Sequence, residues 1–545
     1  MLVYNVLDLI LEEAMTLEAK NLNEQISNLK EYEVILHKNI EENYEVDMEE
    51  QNQVARKLEN ESAVLLKNNS VLPIGKEKKV IIIGELARQM RFQGGGSSHI
   101  QPTKMTNAIE AIREKGYQVT YIQGYQNETE ELGEKQLQDT IEKLKQEYRK
   151  KDCVILYFIG LKNLKIPQNQ EELLAEIAET VGKDHIAAIS FGGAPMDFSF
   201  EKNVGAILHM YLGGQAVGES VADLISGEVN PSGKLAETIP FSEKDTPAWR
   251  YFAPPNDDVE YRESIFVGYR YYETFHVPVK YPFGYGLSYT SFSYSELNVP
   301  EVYSGGKKQI RFKIKNIGKV SGAEIAQLYI CPIESDVIRS HIELKGFQKI
   351  YLHPGEEKEV ILELDERSFS VYDVEKKAFS MLSGKYQICI GASVHDLQLK
   401  ANMEVVGNSY FRNERELFSD YFREQPHGME ISAEQFYQLL GGEPKHDKEK
   451  KRGEYTVYDS YQDVVNVSMF GKFVRGVVHI GLKIILRGKS ERDPAFKMVK
   501  MGVEEGNLEG LIATSGGIAT PKLIDMLVYN ANKKYLQAFK RLLKK

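Results

Sequence analysis

A glycine-rich loop at residues 91–103, RFQGGGSSHIQPT, carries the residue types best suited to bind a polar ligand. Its three consecutive glycines allow the backbone to come close to another group. Its side chains supply hydrogen-bonding groups of the kind that sugars need: Arg91, Gln93, Ser97, Ser98 and His99. The alternative is a tight loop whose polar groups bond one another and cap a helix at 103–115.

A second glycine-rich stretch, residues 211–240, predicts a strand end, a loop, a helix of small residues and a turn. The start of that helix could hold an anion, or its glycines could serve only close packing of helix on strand. The sequence has no GxxxxGKS, HExxH or GxSxG motif. Its three cysteines, Cys153, Cys331 and Cys389, are too far apart for a CxxC site or a disulfide framework. We therefore expect no metal and no cofactor.

Composition limits the classes of protein that the chain can represent. Its 545 residues suggest about three or four domains, and 42% hydrophobic residues exclude a wholly disordered chain. With 68 Lys and Arg against 79 Asp and Glu, the net charge is −11. This balance argues against a dedicated nucleic-acid binder, which needs a basic face.

The sequence also predicts where the protein works. No Lys or Arg precedes the first apolar stretch, MLVYNVLDLILEEAM, so it does not resemble a secretory signal. The longest apolar region, 465–486, is interrupted by Lys472, Arg475 and Lys483, which argues against a membrane span. We expect a cytoplasmic protein without a membrane partner.

The elements that position the loops follow from hydrophobic periodicity. Between residues 57 and 240, apolar runs alternate with amphipathic helices, which predicts a mostly parallel sheet covered on both faces, an α/β sandwich. The runs lie at 80–84, 118–122, 153–160, 185–190 and 206–212, and the clearest helices at 128–149 and 168–182.

The remaining regions have different patterns. Residues 298–405 alternate with period two between turn signals, which predicts an antiparallel β-sandwich of immunoglobulin or fibronectin type III kind. Residues 241–297 form an aromatic-rich connector, whereas 1–56 and 406–545 are helical extensions. The last helix, NKKYLQAFKRLLKK, is amphipathic and basic. We expect it to dock on the body of the protein, with membrane or partner contact as the alternative.

Five segments resemble glycoside hydrolase family 3, the β-glucosidase type, in order and spacing over residues 57–405. They are ESAVLLKNNSVLPI (61–74), QGGGSSHIQPTK (93–104), LGGQAVGESVADLISGEVNPSGKLAETIP (212–240), YRESIFVGYRYYE (261–273) and YPFGYGLSYTSFSYSEL (281–297). The resemblance implies a catalytic (β/α)8-type barrel, an α/β sandwich and a fibronectin type III-like domain. It also implies retaining hydrolysis by two carboxylates, a nucleophile and an acid/base. Residues 508–528 resemble an extension of some larger members.

The sequence departs from this family plan in two places. Only about 56 residues precede the sandwich, whereas a barrel needs ~250, so no residue matches the nucleophile of the barrel. Between the strand ending at Leu161 and the helix start at Pro167 lies only KNLKI, without an acidic residue. Glu171 and Glu172 should lie on the helix that follows. We therefore predict no catalytic residue in this chain. The resemblance implies that the five polar side chains of the loop lie at the rim of a sugar pocket.

Three hypotheses follow. The first is a pseudoenzyme of the family that is inactive alone. The second is the C-terminal half of a split β-glycosidase, completed by a separate barrel chain. The third is a non-catalytic protein that binds a β-glycoside or oligosaccharide, or serves as a scaffold. A face left without a barrel is expected either to be covered by the N-terminal helices or to cause self-association.

Overall fold

A computed structural model describes residues 46–485 and 501–543, with internal gaps at 95–99, 128, 130, 150–151, 162–164, 253–258, 375, 408–412, 444–449, 504 and 515–518. The chain divides into two compact units, residues 1–58 and 59–545. In the first unit, the described residues belong largely to helix α1 (Met48–Ser62). This agrees with the helical character expected there, and the rest of the predicted segment 1–56 lies outside the described residues.

A six-stranded sheet forms the centre of the α/β domain, in the order β1-β6-β5-β4-β2-β3. Strands β2 to β6 run parallel, and β1 pairs antiparallel with β6. Every residue of β4 and β5 is buried, as expected for central parallel strands covered on both faces. The predicted α/β sandwich is confirmed. The strands are β1 Val64–Asn68, β2 Lys79–Ile83, β3 Gln118–Ile122, β4 Cys153–Gly160, β5 Ile186–Phe191 and β6 Ala206–His209.

Three helices, α2 to α4, connect these strands and α5 follows β6, because each apolar helix face has a sheet face to cover. Helix α2 begins later than the predicted 103–115, since Asn107 caps it by accepting a hydrogen bond from the Glu110 amide at 3.0 Å. Helix α5 ends where Gly227 takes a left-handed conformation, φ 74°. The helices are α2 Ala108–Glu114, α3 Glu134–Glu147, α4 Gln168–Val181 and α5 Val217–Ser226.

The aromatic-rich connector is anchored by its own side chains. Phe266, Tyr271 and Phe275 form a buried cluster with Phe418 and Tyr421 from the C-terminal extension. Burial of rings of this size contributes strongly to packing, so the connector and residues 414–440 share a core. Strand β7 (Ile239–Pro240) comes just before the connector, which contains α6 (Tyr269–Thr274) and β8 (Val279–Tyr281).

The predicted β-sandwich is confirmed as two sheets, β10-β18-β17-β12-β13 and β14-β11-β9. Strand β9 pairs with β11, so the sandwich includes residues that the sequence boundary at 298 assigns to the connector. Cys331 and Cys389 lie on neighbouring strands with their sulfurs 3.8 Å apart, and all three cysteines are free and buried. The strands are β9 Phe292–Asn298, β10 Val302–Tyr303, β11 Lys308–Asn316, β12 Gly322–Pro332, β13 Glu343–Leu352, β14 Glu357–Leu364, β15 Ser370–Asp373, β16 Ala378–Met381, β17 Gly384–Gly391 and β18 Leu397–Val405.

The C-terminal extension is helical, as predicted. Ser432 caps one helix by accepting from the Gln435 amide, and Gly441 ends it in a left-handed conformation. Beyond residue 460 the helices enclose a small core of their own, which includes Val464, Val474 and Leu527. The helices are α7 Glu414–Leu417, α8 Ala433–Leu440, α9 Tyr461–Asn466, α10 Met469–Ile485, α11 Leu508–Thr514, α12 Pro521–Ala531 and α13 Tyr535–Leu543.

Candidate functional site

A crevice lies at the carboxyl ends of β2 and β4, where the winding of the sheet reverses. The chain passes from β2 outward to β3, then returns to β4 on the other side of β2 and continues to β5. The two loops therefore diverge, which is the position where open α/β sheets hold ligands. A cavity of about 410 Å³ lies here, lined by Leu86, Gln89, Met90, Arg91, Phe92, Gln93, Gly94, Asn127, Gly160, Leu161 and Gln170.

Arg91 supplies the cationic group of this cavity. Its side chain is half-buried and makes no hydrogen bond or ion pair with any residue in the described ranges. Burial lowers the pKa of the guanidinium, because the charge has lost part of its hydration. A guanidinium presents a rigid fork of donors suited to carboxylates, phosphates or paired hydroxyls. Arg91 can therefore bind a polar ligand without breaking an interaction within this part of the chain.

Gln93 lines the same cavity, but its amide group is already occupied. Its Nε2 donates to the Ile100 carbonyl at 2.9 Å and its Oε1 accepts from the Ile100 amide at 2.8 Å. These two bonds join the ends of the glycine-rich loop. The other predicted side chains, Ser97, Ser98 and His99, lie outside the described residues. Their assignment to a sugar pocket stays a prediction.

The floor of the cavity is held by the start of α4. Oε1 of the buried Gln170 accepts from the Gly160 amide at 2.9 Å, and its carbonyl accepts from the Tyr157 hydroxyl at 2.6 Å. Pro167 is the N-cap of α4, which confirms the helix start predicted at this residue. This arrangement ties the end of β4 directly to the helix that follows.

No Asp or Glu is among the residues that line the cavity. Glu171 lies in the first turn of α4, as predicted, where its carboxylate accepts from the Ser199 hydroxyl at 3.1 Å. Glu172, on the same helix, accepts from Gln168 at 2.5 Å. Both carboxylates thus serve contacts away from the cavity. Within the part of the chain that the structure describes, the cavity lacks an acid or a nucleophile.

A buried carboxyl group that the sequence analysis missed lies close to this region. Glu59 is 5% exposed, and its Oε1 has no hydrogen-bond partner among the described residues. It packs against Gly213, where a Cβ atom would lie 2.2 Å from the Glu59 carboxyl carbon. The next residue, Gly214, donates its amide to the Phe92 carbonyl at 2.9 Å. Burial raises the pKa of Glu59 to about 8. A Glu in a helix before a strand gives no sequence signal of this burial.

The second glycine-rich stretch serves packing rather than anion binding. A Cβ atom at Gly218 would lie 2.0 Å from the Thr106 carbonyl oxygen, so glycine permits α5 to approach the loop before α2. The first turn of α5 already contains Glu219, whose carboxylate accepts from Thr106 at 3.1 Å and lies 3.7 Å from the Lys104 ammonium. An anion would meet a negative charge there. No group of three metal-ligating side chains occurs within the described ranges.

Family comparisons match the two domains separately. Residues 63–289 match the glycosyl hydrolase family 3 C-terminal domain, and residues 324–394 match the fibronectin type III-like domain. Thermostable β-glucosidase B of Acetivibrio thermocellus is 37% identical over 401 residues, which cover 70% of this chain and 52% of the relative. An exo-α-(1→6)-L-arabinopyranosidase of Bifidobacterium breve is 34% identical, over 67% of this chain and 50% of the relative.

Solved structures give the same result. A family 3 β-glucosidase of Bifidobacterium adolescentis matches with a TM-score of 0.64 and 34% identity, covering 68% of this chain and 55% of that one. β-Glucosidase 3B of Thermotoga neapolitana, in complex with α-D-glucose, matches with a TM-score of 0.60 and 28% identity, over 67% and 56%. The chain spans about half the length of the curated relatives it matches. This chain carries the C-terminal α/β domain and the fibronectin type III-like domain of glycoside hydrolase family 3.

Proposed function

We propose that this chain binds a β-glycoside or oligosaccharide at the crevice beside Arg91 and does not hydrolyse it alone. The observation that carries the proposal is that the described lining of the cavity has no carboxylate. Retaining hydrolysis needs two carboxyl groups about 5–5.5 Å apart. Among the described residues, the crevice offers instead polar side chains and the Arg91 guanidinium, which makes no hydrogen bond or ion pair with them, and these groups suit binding. The sugar is suggested by a relative, since the Thermotoga neapolitana enzyme was solved with glucose.

A second candidate function is that of one half of a split β-glycosidase, which a barrel on a separate chain completes. The coverage of about half of each relative favours it. Such a barrel would supply the nucleophile, but the segment from Leu161 to Pro167 still has no acidic residue. General acid catalysis contributes about 10²–10⁴-fold. The complex should therefore hydrolyse nitrophenyl glycosides, whose leaving group needs little protonation, far better than alkyl glycosides.

The distinguishing assay is release of nitrophenol from a panel of nitrophenyl β-glycosides. It is run with the purified chain alone and again with a family 3 barrel chain added. No turnover in either case agrees with the first proposal, whereas turnover only with the barrel supports the split enzyme. Turnover by the chain alone would contradict both and require a carboxylate pair elsewhere.

Sugar binding itself is tested by titration calorimetry with glucose and cello-oligosaccharides. A hydrogen bond from a charged donor contributes about 1.5–3 kcal/mol, so Arg91→Gln should weaken binding roughly 10–100-fold. Arg88→Gln is the matched control, because Arg88 is exposed in the segment just before this loop and does not line the cavity. Equal affinity in both variants, or no binding by the original chain, would refute the assignment of Arg91.

A further inference from the structure

Helix α10 exposes a continuous apolar stripe. Met469, Phe473, Val477 and Ile480 follow one another at intervals of three or four residues, and all four are exposed, Met469 by 85%. The adjacent face of the helix contributes Phe470, Val474 and Val478 to the C-terminal core. The apolar sector of α10 is therefore wider than the core that it helps to form.

Helix α13 leaves an even larger share of its apolar side chains exposed. Its five large apolar side chains are all exposed, up to 79% for Leu536, whereas Ala538 is buried. The five are Tyr535, Leu536, Phe539, Leu542 and Leu543. The helix packs on α12 through its other side, where Ala538 is buried and Arg541 donates to the Asp525 carboxylate at 2.8 Å, while its large apolar side chains stay exposed. Scattered exposed apolar residues need no explanation, but two whole stripes do.

Charge distinguishes these helices from the rest of the molecule. Residues 461–545 contain 15 Lys and Arg against 7 Asp and Glu, although the whole chain has 68 against 79. Lys472 lies exposed on α10, three residues after Met469 of the stripe. On α13, Lys540 is exposed next to Phe539. Each stripe thus has a cation beside it.

We propose that α10 and α13 bind the surface of an anionic lipid membrane. A helix with an apolar stripe and flanking Lys or Arg lies in the membrane plane, its apolar side chains at the headgroup–acyl boundary and its cations over anionic headgroups. Both helices pack against α12, which makes them neighbours within one small body. No helix of the described chain is long and apolar enough to cross a bilayer, so this contact is interfacial. The proposal is independent of the sugar site.

A second copy of the chain is the competing occupant of this surface. Two copies that met through residues 461–545 would bring together two segments with an excess of positive charge, which repel each other. A surface of anionic lipid removes this repulsion and attracts the same cations. Charge complementarity therefore favours the membrane.

The test is co-sedimentation of the full chain with lipid vesicles, some of phosphatidylcholine alone and others of phosphatidylcholine with phosphatidylglycerol at about 3:1. We expect binding to the anionic vesicles, weakened by salt, and little binding to the neutral ones. Phe473→Glu and Leu536→Glu should remove it. Phe347→Glu is the control, because Phe347 of β13 is 66% exposed, close to the 67% of Phe473.

Charge neutralisation gives a second, milder variant. Lys472→Gln and Lys540→Gln should each lower the affinity for anionic vesicles roughly fivefold, the usual contribution of one basic residue near such a surface. Equal binding to both kinds of vesicle, no binding, or binding that survives Phe473→Glu and Leu536→Glu would overturn the proposal. Sedimentation velocity without lipid tests whether a second copy of the chain occupies this surface. A dimer that Phe473→Glu dissociates would also overturn the membrane proposal.

Discussion

Replacing Glu59 by glutamine should change how the stability of the protein depends on pH. The carboxyl is 5% exposed, one of its oxygens lacks a hydrogen bond within the described structure, and burial raises its pKa from 4.5 to about 8. In the unfolded chain this group ionises near its ordinary pKa. Above that pH, folding must either take up a proton or bury a charge, so the unfolded state binds fewer protons than the folded state.

The sign and size of the change in the free energy of unfolding with pH follow from these two pKa values. The free energy of unfolding is highest below the unfolded pKa, falls as the pH rises from 4.5 towards about 8, and levels off above that. At about 1.4 kcal/mol for each pH unit, the complete loss is about 5 kcal/mol, and about 3 kcal/mol of it has occurred at pH 7. Glu59→Gln keeps the size of the side chain and cannot ionise, so it should escape this loss.

The measurement is urea unfolding, followed by circular dichroism, of the original chain and the variant from pH 5 to pH 8.5. The stability of the variant relative to the original chain should increase by several kcal/mol between these limits. Glu61→Gln is the control, since Glu61 is exposed and lies 3.2 Å from the Lys349 ammonium. A difference between Glu59→Gln and the original chain that does not change with pH would refute the reasoning.

Three further predictions concern packing, acid stability and a helix cap. Gly218→Ala should destabilise the α/β domain by about 1–3 kcal/mol in urea unfolding, because its Cβ atom would overlap the Thr106 carbonyl. A Cβ atom added at Gly476 of α10 would meet no atom within 4 Å, so Gly476→Ala should be neutral or stabilise the protein by up to about 1 kcal/mol. Equal losses of stability at both sites would contradict the packing argument. Burial lowers the pKa of His209 to about 3, so stability should fall as the pH drops below 6.5, by about 2 kcal/mol at pH 5, and His209→Gln should flatten this decline. Ser432→Ala should cost about 1 kcal/mol and speed amide exchange at Gln435, while unchanged exchange would rule out the cap.

The fold could be predicted because its signals are local. Strand β4 is a run of eight apolar residues that are all buried, and such runs separated by amphipathic helices indicate a parallel sheet covered on both faces. Helix α2 begins later than predicted because Asn107 caps it. A cap acts through one hydrogen bond, which hydrophobic periodicity does not show. The sequence pattern places β9 in the connector, because its pairing with β11 is a contact between separate segments that the local pattern does not show.

The candidate site was predicted less completely. Arg91 and Gln93 were both chosen as polar loop residues, and both line the cavity. Only the tertiary arrangement distinguishes them, because Gln93 uses its amide on Ile100 while Arg91 makes no such contact with the described residues. Glu59 was missed because the approach of Gly213 buries it, and no spacing rule connects residues so distant in sequence.

The sequence by itself determined the order of the domains, the family and the lack of an acidic residue between Leu161 and Pro167, because each is written in consecutive residues. Tertiary structure alone decided which groups are buried, paired or exposed. It placed the crevice at the reversal of the sheet and left the apolar faces of α10 and α13 uncovered. The physical reason is that desolvation and packing depend on what distant segments bring to a side chain.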